Sequence, residues 1–343
     1  MTYVDMHCDT LTTMMDDSAR GDLFKNNLSV DFSRLSKIER PIQFFACFVN
    51  LQVYMDRYGN FKIDRAWDYA CRMLRYFKDH LHYYPGCYRL IQKAADVDAF
   101  LAGGKKAAPD SSAEAAAPAP EDTAPLGVLL TVEEGGILGG SMKRLESLHR
   151  RGVRLITLTW NHANCLGYPN SWSLVDNMQG LKPFGFEVIS WMERRGMIVD
   201  VSHLSDGGFY DVARTMKKPF VASHSNARAV CDHPRNLSDE MLKVLAEHGG
   251  VTGLNFCPEF LDKDKGSTIE AMVRHVKHMI NVAGEDVVAL GTDFDGIGGP
   301  LEISSVDEMP KLYEALERSG LTGRMLDKLW YQNAVRVMKD TLR

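Results

Sequence analysis

Three separated strings in this chain end abruptly in side chains that bind metal ions: Val4-Asp5-Met6-His7-Cys8-Asp9, Val199-Asp200-Val201-Ser202-His203 and Val221-Ala222-Ser223-His224. Imidazole nitrogens and carboxylate oxygens are the donors that a borderline divalent cation such as zinc takes. Alternate side chains of an extended segment share a face, so His7 and Asp9 point together while Cys8 points away. An isolated pair of this kind is more often structural than a metal site. His203 and His224, each preceded by serine, would supply a second set of ligands from neighbouring strand ends. The string Thr131-Val132-Glu133-Glu134-Gly135-Gly136 adds acids beside two glycines, and a carboxylate there could bridge two cations, one oxygen to each. Glu133 and Glu134 face opposite ways, so at most one points inward. In Gly291-Thr292-Asp293-Phe294-Asp295-Gly296, Asp293 ends an apolar run, where it could take a proton from an activated water and pass it to a leaving amine. Asp295-Gly296 reads as a turn.

Such side chains must be carried by elements whose ends converge. Apolar runs at 3–7, 43–49, 127–134, 155–160, 197–203, 219–225, 249–256 and 287–294 read as strands, too continuously apolar to have one wet face. Between them lie amphipathic stretches at 142–151, 184–195, 267–283 and 323–342, the last placing Met325, Leu326, Leu329, Trp330, Val337 and Met338 at helical spacing. This alternation predicts an α/β fold, a (β/α)8 TIM-type barrel with its active site at the C-terminal ends of the strands. A large open sheet is the alternative. The 343 residues are expected to form one catalytic domain, with a surface insertion at 103–125 that is rich in Ala, Pro, Ser and Asp. Seven other histidines (His80, His82, His149, His233, His248, His275 and His278) lie in helical or loop stretches and are expected to be solvated.

Bulk properties agree with an enzyme. A net charge of -5 gives no reason to expect binding to nucleic acid or a membrane surface. No apolar run approaches the roughly 18 residues of a membrane span, and residues 1–5 lack a basic region and an apolar region, so no secretory signal is expected. Seven cysteines without a CxxC pair read as reduced thiols, so the expected location is cytoplasmic.

Taken in order, Asp5-Met6-His7-Cys8-Asp9, Glu134-Gly135-Gly136, Val201-Ser202-His203, Ser223-His224-Ser225, Arg235-Asn236 and Gly291-Thr292-Asp293-Phe294-Asp295-Gly296 resemble the membrane (renal) dipeptidase family of metallopeptidases, among the amidohydrolase-like barrels. The resemblance runs from Asp5 to about Val337, the insertion apart. It implies two Zn2+ ions per chain, one held by His7 and Asp9 and the other by His203 and His224. Glu134 and a hydroxide would bridge them, and Asp293 would handle the proton. Arg235 would grip the C-terminal carboxylate of a dipeptide, a task suited to a forked guanidinium. The implied reaction is hydrolysis of dipeptides, including those with a C-terminal D-residue. One departure stands out: where the family often has a histidine after Thr-Leu-Thr, Thr157-Leu158-Thr159 is followed here by Trp160, then Asn161 and His162. His162, Asn161 or the metals would then stabilise the oxyanion. The rival readings are another binuclear amidohydrolase, acting on a cyclic amide, lactone or phosphoester, and a non-catalytic metal-binding barrel. A homodimer is left open.

Overall fold

The computed structural model describes residues 2–103 and 125–343. The expected insertion at 103–125 lies outside them, apart from its two end residues. Among the described residues nine strands are present: β1 Tyr3–Cys8, β2 Pro41–Phe48, β3 Tyr88–Leu90, β4 Leu126–Glu133, β5 Val153–Thr157, β6 Ile198–Asp200, β7 Val221–Ala222, β8 Val251–Leu254 and β9 Val288–Leu290. All pairings between them are parallel. Eight strands close a ring in the order β1-β2-β4-β5-β6-β7-β8-β9, with β9 returning to β1. The expected (β/α)8 barrel is therefore the fold.

β3 stands outside the ring and was not foreseen. It pairs with Leu126–Val128 of β4, while β5 pairs with Leu130–Glu133 farther along, so β4 serves two neighbours in succession along one edge. At three residues, β3 is too short to show a period.

The continuous apolar character of the strands follows from two cores. Val4, Met6, Ile42, Phe44, Leu129, Leu155, Ile198, Val221, Val251 and Ala289 fill the barrel, and a larger cluster lies between strands and helices. Val97 and Phe100 of the helix Ala94–Leu101, with Val337, Met338 and Leu342, pack onto the inner core. The stretch expected as one helix over 323–342 is helical as far as Thr341 but contains a π turn at Lys328–Gln332, between Gly323–Asp327 and Asn333–Thr341. Beyond that turn, the Asn333 amide donates to the carbonyls of Glu285 and Val288, fastening the helix to the start of β9.

His275 corrects one expectation. It is fully buried in the helix Ile269–Ala283, its Nδ1 accepting from the Ala227 amide and its Nε2 donating to the Leu261 carbonyl. Among the described residues no helix is long and apolar enough to cross a membrane.

Candidate metal centre

His7 leaves β1 where its register against β2 shifts, between Asp5 and Cys8. Its Nε2 lies 3.3 Å from Asp9 Oδ2, while Cys8 turns outward toward the Phe44 carbonyl. The paired side chains of the first strand thus stand as the alternation requires. The strand end is braced by Asp5, which accepts from the Thr292 amide, the Thr292 hydroxyl and the Gln43 side chain, tying β1 to its neighbours on both sides.

The inward carboxylate of β4 is Glu133, not Glu134. Glu133 Oε2 lies 3.3 Å from His7 Nε2, and its Oε1 lies 3.1 Å from His203 Nε2 and 3.6 Å from His224 Nε2. One step later the backbone turns left-handed, with φ 90° at Glu134. That turn aims the Glu134 carboxylate away from the imidazoles, to accept from Gly136 N at 2.7 Å, Trp160 N at 3.0 Å and Asn164 Nδ2 at 2.6 Å. The expectation placed on Glu134 is therefore corrected: it clamps the loop after β5, and Glu133 occupies the place foreseen for it.

His203 and His224 stand beyond the ends of β6 and β7, their Nε2 atoms 3.2 Å apart. Asp200 sets up both loops. It accepts from Ser202 N, Ser223 N, the Thr157 hydroxyl and the Ser223 hydroxyl. Ser223 Oγ in turn lies 2.7 Å from His224 Nδ1, and Asn161 Oδ1 lies 3.1 Å from His203 Nδ1. With both Nδ1 atoms donating, each Nε2 would be left free to ligate a bound cation beside Glu133. His203 and Asp293 have φ of 66° and 62°, a left-handed backbone rare outside glycine. Asp293 accepts from Asn255 Nδ2 at 2.9 Å through Oδ2, and its Oδ1 lies 3.8 Å from His7 Nε2. Asn255 went unnoticed in the sequence. It ends the apolar run Val251–Leu254, the same signal that marked the histidines.

Three groups of ligand atoms lie within 4.8 Å of one another: His7, Asp9 and Glu133; Glu133, His203 and His224; His7, His224 and Asp293. All are buried. Burial lowers the basicity of His7, but Glu133 and Asp9 overcome it and hold the imidazole well above its usual pKa. Burial pushes the Glu133 carboxyl up, but His7, His203 and His224 hold it well below the usual range. Burial raises Asp9 to about 6 and Asp293 to about 7, against the pull of His7. It lowers His203 to about 4, Arg235 adding to the effect. Three carboxyls thus crowd one readily charged imidazole, while His7 Nδ1 and Asp9 Oδ1 are buried without a partner. The donor set and its shortage of positive charge fit divalent cations.

A cavity of about 650 Å3 opens over this cluster, lined by Asp9, Glu133, Asn161, His203 and Asp293 among others. Arg235 is buried, donating through Nη1 to Ser225 Oγ and through Nη2 to the His224 carbonyl; its Nε has no partner. Asn161 reaches the cavity. His162 does not line it, and its ring packs near Phe61 and Trp160.

Comparison with known proteins agrees with this geometry. Residues 1–342 match the family model described as membrane dipeptidase (peptidase family M19). The chain belongs to the membrane dipeptidase family. It is therefore a hydrolase of the metallo-dipeptidase kind. An uncharacterized dipeptidase, C965.12, of Schizosaccharomyces pombe is 31% identical over 326 residues, covering 93% of this chain and 74% of the relative. The crystal structure of dipeptidase AC, a family M19 metallopeptidase, superposes with a TM-score of 0.83 at 25% identity, covering 100% of this chain and 99% of that one. A Rhodobacter sphaeroides metallopeptidase, liganded with a phosphinate mimic of L-Ala-D-Ala, shares the fold at a TM-score of 0.80 and 24% identity, covering 99% of each chain.

Proposed function

We propose that this family member is a binuclear zinc dipeptidase, with His7 and Asp9 holding one ion, His203 and His224 the other, and Glu133 shared between them. The observation that carries the reading is the division of the two Glu133 oxygens between His7 on one side and the His203–His224 pair on the other. When bound, the ions would supply an acidified water and polarise the peptide carbonyl.

The chain's own groups would do the rest. Asp293, with Oδ1 3.8 Å from His7 Nε2 at the edge of the cluster, would take the proton of the attacking water and deliver it to the departing amine nitrogen. The Asn255 amide holds one of its oxygens and leaves the other toward His7. Arg235 would bind the C-terminal carboxylate of the dipeptide and so restrict substrates to very short peptides; its unpartnered Nε is a free buried donor. Asn161 holds the His203 Nδ1 proton with Oδ1, which leaves its Nδ2 hydrogens for the developing oxyanion, in place of the histidine that Trp160 displaces. A C-terminal D-residue is included in the substrate class because the Rhodobacter sphaeroides structure holds a mimic with D-alanine in that place.

The test is metal analysis joined to a substrate panel. The purified protein should carry close to two zinc ions per chain and cleave L-L and L-D dipeptides but not tripeptides. Asp293→Asn should lower kcat by about 10²–10⁴-fold with metal content near normal. Cleavage of a cyclic amide but of no dipeptide would overturn the reading.

A further inference from the structure

We infer that the Phe48–Trp160 pair makes this enzyme select dipeptides whose N-terminal residue carries a large apolar or aromatic side chain. The inference deepens the proposed function and rests on Arg235 as the carboxylate anchor.

The order of strands around the ring sets the direction of the substrate. Arg235 stands in the segment between β7 and β8, held to Ser225 and His224. The imidazole and carboxylate cluster occupies the middle of the mouth. Across it from Arg235 are the ends of β2, β4 and β5. A dipeptide tethered by its carboxylate at Arg235, with its scissile carbonyl at the cluster, must send its N-terminal residue toward that far side. Phe48 ends β2 and Trp160 follows β5, flanking Glu133 on β4 between them. Their ring centroids are 4.9 Å apart at 60°, and both line the cavity.

The wall is also fixed in place. Glu134 accepts the Trp160 amide, and Asn164, bound to the same carboxylate, donates to the Leu158 carbonyl. The Trp160 ring lies 6.2 Å from the His203 ring on its inner side and 6.1 Å from the His162 ring. Phe48 and Trp160 thus present an aromatic bank to the cavity, backed away from it by His162 and Phe61. A glycine or alanine side chain would leave that bank wet, whereas a leucine or phenylalanine would cover it. Trp160 is thus a specificity-determining residue, standing where the resemblance leads one to expect a polar one.

The experiment measures kcat/KM for Gly-Ala, Ala-Ala, Leu-Ala and Phe-Ala, and for Ala-Gly and Ala-Phe as a control on the other position. Leu-Ala and Phe-Ala should exceed Gly-Ala by about tenfold or more, chiefly through KM. In Trp160→Ala and in Phe48→Ala the N-terminal ratio should fall toward one. Trp160→Phe should keep most of it. The ratio of Ala-Phe to Ala-Gly should not move in any variant. Wild-type enzyme that cleaves dipeptides without this preference, or variants that retain it, would overturn the inference alone. Wild-type enzyme that cleaves no dipeptide would remove the underlying dipeptidase reading and the inference with it. Should Trp160→Ala fail to fold, Phe48→Ala and Trp160→Phe decide.

Discussion

Adjacent glutamates with opposite tasks are the sharpest residue-scale feature of this chain. Glu133→Gln replaces an oxygen that faces imidazole nitrogens with an amide, and should abolish turnover and remove most bound zinc, as elemental analysis would report. Glu134→Gln trades one acceptor for a donor against Gly136, Trp160 and Asn164. It should destabilise the fold by about 1–3 kcal/mol in denaturant titration while zinc content stays near that of wild type. Equal zinc loss in both variants would contradict the assignment. The sequence could show that only one of the pair points inward, because that follows from strand alternation. It could not show which, because the answer depends on where β4 stops and the backbone turns over at Glu134.

At the scale of elements, the loops after β6 and β7 are joined through Asp200 and Ser223, which orient His224 by its Nδ1 proton. Ser223→Ala should weaken zinc binding by about 10–100-fold in a competitive chelator titration, with the fold intact. The helix Ile269–Ala283 carries a different pH signature. Burial lowers the pKa of His275 to about 4, against about 6.5 in the unfolded chain. The unfolded chain therefore takes up the proton first, so the stability tied to neutral His275 is whole above pH ~6.5 and drains away as pH falls toward 4, on the order of 3 kcal/mol. Unfolding titrations across that window should show a shallower acid slope for His275→Gln. An identical slope would mean that His275 is not the titrating group. The burial of His275 was hard to read because a histidine among Met272, Val276 and Met279 has the spacing of a core position and the chemistry of a surface one. Asn255, by contrast, follows the apolar run Val251–Leu254 and is legible by the same strand-end signal as the histidines.

For the whole molecule, the ring closure from β9 to β1 is what brings residues 7 and 293 to one rim. The strands were legible because a parallel sheet covered on both faces leaves long apolar runs. β3 and the π turn left no comparable trace. A native state that gathers three carboxyls and three imidazoles at one rim should be bound more tightly by zinc than the unfolded chain is. Zinc at 1,000 times its Kd would add about 4 kcal/mol, so Tm should rise by several degrees with zinc and fall again with chelator. Glu133→Gln should lose most of that response. The left-handed backbones at His203 and Asp293 bear on how the protein would evolve. Each costs roughly 1 kcal/mol that a glycine would recover. A laboratory selection for heat resistance run under chelator would favour glycine at these two positions, whereas with zinc present the larger contribution of the ions would keep the side chains.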